Sequence, residues 1–189
     1  MRRYWFPKHY ADEVQRARVP FGFILLAAFA YYSAPTPLSL SVGLPVSFLG
    51  VLLRAWAAGH LAKNEELAIS GPYAWIRNPL YLGTLTAAAG LVVASREVWL
   101  AVLFGLVFLL VYFPAIELEE QHLRKLFPGY REYANEVPLL IPNGRPIPST
   151  NGFRFALYRR NQEYQALAGF LAGSVLLLWK AGVLKTIIG

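Results

Sequence analysis

GPYAWIRNPLYLG, residues 71–83, is a polar and aromatic turn that runs straight into an apolar segment. Gly71-Pro72 is a turn signal. Asn78-Pro79 has the form of a helix start, with Asn at the N-cap and Pro at the first helical position. The run that follows, Leu80 to Ala94, is rich in small residues (Gly83, Thr84, Thr86, Ala87, Ala88, Ala89, Gly90). Membrane helices that pack closely on neighbours have this composition. A second polar cluster, Glu117-Leu118-Glu119-Glu120, stands at the far end of the next apolar run, Val98 to Ile116, where Pro114 is expected to bend the helix. The fold is expected to bring the two clusters together at one face of a membrane, with chemistry between them. A plain helix cap is the alternative role for Asn78-Pro79.

Working outward, the composition points to a membrane. The chain of 189 residues is 56% hydrophobic and 15% charged, with a mean hydropathy of +0.40. Soluble domains carry about a quarter charged residues, and a chain of this length has too little interior to hide so much apolar surface. The net charge of +7 is matched to anionic lipid headgroups rather than to nucleic acid. Absent cysteines exclude a disulfide framework, a thiolate nucleophile and a cysteine metal site. His9, His60 and His122 show no metal-ligand spacing, so no metal site is expected. The first residues lack the pattern of a cleaved signal peptide.

Five spans are expected: Phe21 to Ala34, Leu38 to Ala62, Leu80 to Ala94, Val98 to Ile116 and Tyr164 to Ile188. The first is short of the ~20 residues a span needs unless it borrows from Arg16–Pro20. With the N-terminus inside, Arg2, Arg3, Lys8, Arg16, Arg18, Lys63, Arg77, Arg124, Lys125, Arg131, Arg145, Arg154, Arg159 and Arg160 are cytoplasmic, against Arg96 and Lys185 outside. This asymmetry puts both polar clusters on the cytoplasmic side. Glu119 to Tyr133 reads as a helix continuing the fourth span, broken near Phe127-Pro128-Gly129. Residues 137–149 read as extended and proline-punctuated, and residues 150–163 as a basic, aromatic interfacial stretch. Gly169 and Gly173 give a GxxxG spacing that serves either a homodimer or packing within the chain.

Read together, GPYAWIRNPLYLG and EEQHLRKLFPGYREY resemble the isoprenylcysteine carboxyl methyltransferase and phospholipid methyltransferase superfamily. The first half of its pattern is matched by Gly71, Pro72, Tyr73, Arg77, Pro79, Tyr81 and Gly83, the second by Glu119, Glu120, Leu123, Phe127, Tyr130 and Tyr133. The resemblance covers about residues 60–142. Asn78 stands where the first motif usually has histidine, and Leu139 where many isoprenylcysteine enzymes have arginine. Asn-Pro-x-Tyr-x-Gly looks like the phospholipid branch; Gly71-Pro72-Tyr73 and the Phe127–Tyr133 block look like the other.

The resemblance implies a single-domain, all-α integral membrane bundle of about five helices that encloses S-adenosylmethionine at its cytoplasmic end, probed by a lipid or lipidated acceptor from the membrane. It implies cofactor contacts at Tyr73, Arg77, Asn78, Pro79, Leu80, Tyr81, Glu119 and Glu120. Glu120, Tyr81 and Arg54 are the catalytic candidates. Glu120 is also one helical turn from Arg124, so an ordinary ion pair is its alternative. Tyr81 faces the cofactor or acceptor, or anchors at the interface. Arg54, inside an apolar run, is a functional suspect for a lipid phosphate or acceptor carboxylate, or it snorkels outward. An amine acceptor must lose a proton, for which His122 or one of the glutamates is available. Tyr73 and Trp75 wall the adenine or belong to an aromatic belt.

A phospholipid headgroup amine is thus the favoured acceptor, with a prenylated or other lipidic carboxylate second. An NADPH-dependent reductase of the sterol type and an inactive membrane interaction protein are the remaining readings. A bacterial inner membrane fits the absent targeting signals.

Overall fold

The computed structural model describes residues 6–149 and 151–183, and among them the regular structure is helical. Arg2, Arg3, Tyr4 and Trp5 of the basic stretch, and the end of the fifth expected span, lie outside the described residues. The helices are α1 (Lys8–Tyr32), α2 (Pro37–Ala58), α3 (Pro79–Ser95), α4 (Val98–Val107), α5 (Phe113–Leu126), α6 (Tyr130–Glu136), α7 (Phe155–Arg160) and α8 (Tyr164–Lys180).

Among the described residues, two of the expected five spans form helices long and apolar enough to cross a membrane alone, Pro37–Ala58 and Val98–Leu126. This corrects the expectation of five. Helix length is the physical reason. Pro79–Ser95 and Tyr164–Lys180 are 17 residues each, about 26 Å, against about 30 Å of hydrocarbon. The apolar part of α1 is shorter still, Pro20–Tyr32.

Close packing of α2 on α3 organises the bundle. Gly43, Gly50 and Gly90 leave no room for a Cβ against the facing backbone at Ala94, Ala87 and Ser47. Small residues on both helices let the backbones approach to this distance. The end of the hairpin away from the motif is tied by Thr36, which forms a capping box with Ser39, and by Ser39 Oγ, which donates to the Ala94 carbonyl at 2.8 Å.

Pro114 does not end its helix. The residues before it, Phe108–Tyr112, form a π turn in which the Phe113 N–H reaches the Phe108 carbonyl, and the helix continues to Leu126. Proline has no N–H to offer the carbonyl four residues back, which is Leu110. Tyr10 Oη of α1 donates to that carbonyl at 2.8 Å. The ring of Phe6 meets Phe113 edge-on, and the Phe6 N–H donates to Glu117. The break at Phe127-Pro128-Gly129 occurs as expected, between α5 and α6.

Among the described residues, no atom outside α8 lies within 4 Å of a Cβ added at Gly169 or Gly173.

Candidate active site

The turn at residues 71–83 is built from its own backbone needs. Gly71 has φ +58°, a left-handed conformation that glycine adopts freely. A Cβ there would also sit 2.5 Å from His60 Cδ2. His60 is buried, and its Nδ1 lies 2.9 Å from Ser70 Oγ. Burial pushes its imidazole below the usual value, and the Arg154 cation adds to this. Gly71–Ala74 then form one turn of 3-10 helix.

Asn78 occupies the N-cap position of α3, but its side chain does not cap. The Nδ2 group instead points at Glu120 Oε1 (3.4 Å) and the Leu139 carbonyl (3.5 Å). The Arg77 and Asn78 N–H groups donate to the Pro138 and Leu139 carbonyls at 2.9 and 3.2 Å. The proline-punctuated segment thus pairs with the motif through its backbone, and a leucine at 139 leaves that pairing intact.

Glu120 is the buried meeting point of the two motif halves. Tyr130 Oη donates to its Oε1 at 2.9 Å, and Arg77 Nε lies 2.8 Å from the same oxygen. The Arg124 guanidinium is 3.8 Å from Oε2, the helical-turn pair expected from the spacing. Arg77 Nη1 also donates to the Ala134 carbonyl at 2.6 Å, and Tyr133 Oη donates to the Tyr73 carbonyl at 2.8 Å. Desolvation raises the phenols of Tyr73, Tyr130 and Tyr133 well above the ordinary tyrosine value, so all three stay neutral donors.

In front of this buried network is a cavity of about 900 Å³, within the usual range for small-molecule sites. Tyr73, Arg77, Asn78, Pro79, Leu80, Tyr81, Glu119 and Arg54 all line it. Glu120 is not among its lining residues; it stands behind Arg77, Asn78 and Tyr130. Tyr81 Oη donates to Glu119 Oε2 at 3.0 Å, across from α3 to α5. His122 also lines the cavity, with Nε2 3.2 Å from Asn64 Oδ1. Trp75 is exposed and off the cavity.

Arg54 is turned to acceptors within the protein. Its Nε and Nη2 donate to Glu163 at 2.9 and 2.6 Å, and its Nη1 donates to the Leu80 carbonyl at 3.3 Å and to Thr84 Oγ1. Sequence reasoning missed Glu163, Thr84, Tyr112 and Asp12, all of which line the cavity. For Glu163 a signal was present. An arginine inside an apolar run needs a counter-charge, and Glu163 is an acid at the margin of the last apolar run. For Tyr112 there was none, since its aim depends on the π turn.

A sequence model of the phospholipid methyltransferase family matches residues 45–129. The cobalt-zinc-cadmium resistance protein CzcN of Cupriavidus metallidurans is 33% identical over 109 residues, 57% of this chain and 50% of that protein. The nickel-cobalt-cadmium resistance protein NccN of Alcaligenes xylosoxydans xylosoxydans is 29% identical over 159 residues, 80% of this chain and 70% of that protein. The match to CzcN thus spans about half of that relative's length. No solved structure matches this chain. The residues that this family model matches, 45–129, carry the packed α2–α3 pair, the turn at 71–83 and the Glu119-Glu120 end of the long helix, and over that stretch the chain is similar to the phospholipid methyltransferase family.

Proposed function

We propose that this chain is an integral membrane methyltransferase that uses S-adenosylmethionine to methylate a lipophilic acceptor, with a phospholipid headgroup amine such as phosphatidylethanolamine as the favoured class. The observation that carries it is the cavity bounded by both motif halves, with Tyr81 and Glu119 joined across it. Its size and chemistry fit the cofactor. Glu119 and the faces of Tyr73, Tyr81 and Tyr112 suit a cation. The α3 N-terminus, left without a side-chain cap, suits a carboxylate.

Bound S-adenosylmethionine supplies a methyl group activated on a sulfonium. The chain contributes orientation and a site shielded from water. Glu119, held by Tyr81, attracts positive charge. Glu120 acts indirectly, by fixing Arg77, Asn78 and Tyr130 behind the wall. The neutral phenols of Tyr130 and Tyr133 donate hydrogen bonds rather than take protons. For an amine acceptor, His122 is the imidazole in the cavity lining that can take up the released proton. On the positive-inside asymmetry, this end of the bundle faces the cytoplasm.

The Phe127–Tyr133 block does not separate an amine from a carboxylate acceptor, because Tyr130 and Tyr133 brace Glu120 and Tyr73. The names of the two relatives concern metal resistance and name no methyl acceptor. Titration calorimetry of the full chain in detergent is the test. S-adenosylmethionine should bind, and Glu119→Ala should weaken binding. Absence of binding overturns the proposal, and NADPH binding in its place supports a reductase. Methyl transfer to phosphatidylethanolamine compared with a prenylcysteine then identifies the acceptor class.

A further inference from the structure

Glu163 brings a charge to the cavity from outside both motif halves and from beyond the family-matched residues 45–129. Its carboxylate is buried, and the Arg54 guanidinium grips it with two donors at 2.9 and 2.6 Å. The guanidinium is itself held by the Leu80 carbonyl and Thr84 Oγ1. Gly83 keeps the space for its stem, since a Cβ there would lie 2.7 Å from Arg54 Cγ. This explains the glycine that closes the first motif by what lies across it. Every nitrogen of Arg54 is therefore engaged, and the orientation of Glu163 is over-determined.

A charge pair at the end of an apolar bundle is an expensive way to join two helices. Apolar side chains of similar volume do this as well or better. The pair is also set deeper than the motif turn. Thr84 is five residues beyond Pro79, about 7 Å further along α3. The Arg54 fork engages both carboxylate oxygens, and each keeps a further lone pair for another donor. Glu163 is thus a fixed carboxylate lining the cavity, tied through Arg54 to Thr84 of α3. A cationic or amine group carried on a lipid tail would reach it through the cavity.

We propose that Glu163, positioned by Arg54, seats the amine of the acceptor, so that the cavity accepts lipophilic amines and rejects lipophilic carboxylates. This rests on the methyltransferase reading for the identity of the ligand as acceptor. The cofactor's own ammonium is the competing occupant, and it is distinguished by experiment.

Titration calorimetry on the full chain in detergent would use three probes: dihexanoylphosphatidylethanolamine, N-acetyl-S-farnesylcysteine and S-adenosylmethionine. Glu163→Gln should weaken the amine lipid about tenfold, narrow its advantage over the carboxylate, and leave S-adenosylmethionine within about twofold. Arg54→Lys should fall between wild type and Glu163→Gln, because lysine keeps the charge but loses the fork. Circular dichroism checks folding, and Glu163→Asp, which keeps the charge but withdraws it, carries the comparison if the amide variant does not fold. Equal amine binding by wild type and Glu163→Gln overturns the seat, as does a parallel loss of S-adenosylmethionine. Cofactor binding without amine binding overturns the seat and leaves the methyltransferase standing. Amine binding that depends on Glu163 without cofactor binding does the reverse.

Discussion

Replacing Glu120 by glutamine should unfold this protein earlier without emptying its cavity. The amide has the same shape and keeps one oxygen to accept from Tyr130 Oη, now at 2.9 Å. It removes the counter-charge from Arg77, whose side chain is 7% exposed and whose Nε is 2.8 Å from Glu120. Stripping one partner from a buried pair costs about 3–5 kcal/mol. Arg77 retains its bond to the Ala134 carbonyl at 2.6 Å, so the lower end, about 3 kcal/mol, is expected. For a chain of this size, that lowers the melting temperature by about 6–12 °C. Glu119→Gln is the matched control. That carboxylate is exposed and its bond is to Tyr81, so melting should stay within about 2 °C, while S-adenosylmethionine affinity falls. Melting is followed by circular dichroism, because thiol-reactive dyes have no cysteine to label. Wild-type melting of Glu120→Gln would refute the reasoning, as would an equal loss in Glu119→Gln.

Three further outcomes follow from the same geometry. Gly83→Ala forces a Cβ to 2.7 Å from Arg54 Cγ and should cost about 1–3 kcal/mol by overpacking, read as a lower melting temperature that Arg54→Ala partly relieves. Tyr10→Phe leaves the Leu110 carbonyl without its donor and should cost about 0.5–1.5 kcal/mol, with faster amide exchange in the π turn. Because burial and then Arg154 depress the His60 pKa in the folded state, the unfolded chain binds more protons there. His60 thus contributes stability that is fully present above about pH 6.5 and declines as pH falls below it; a His60→Asn variant should melt with a flatter pH dependence between about pH 5 and 7.

Much of the site was legible in local pattern. Gly71, Asn78-Pro79 and the Glu119-Glu120 pair announce a turn, a helix start and a charged helix end because backbone constraints and charge are local properties. The break at Phe127-Pro128-Gly129 is read the same way. A hydropathy run records apolar residues and not the length of helix they form, so five apolar runs give two helices, among the described residues, that are long enough to span alone. Thus α3 and α8 are apolar but only 17 residues long.

What the sequence by itself determined is the apolar helical class, the two polar clusters and the family signature of the segment between them. Tertiary structure alone decided how the labour is divided within the motif. Asn78 looks like a cap but spends its side chain on Glu120, and of the two adjacent glutamates one is a buried brace and the other lines the cavity. Adjacent residues on a helix point about 100° apart, so only the tertiary contacts of Arg77, Asn78 and Tyr130 with α5 choose which faces inward. The pairing of Arg54 with Glu163, 109 positions away, likewise depends on α8 returning to the motif end of α2. That contact is long in sequence, and Gly83 leaves the room for it.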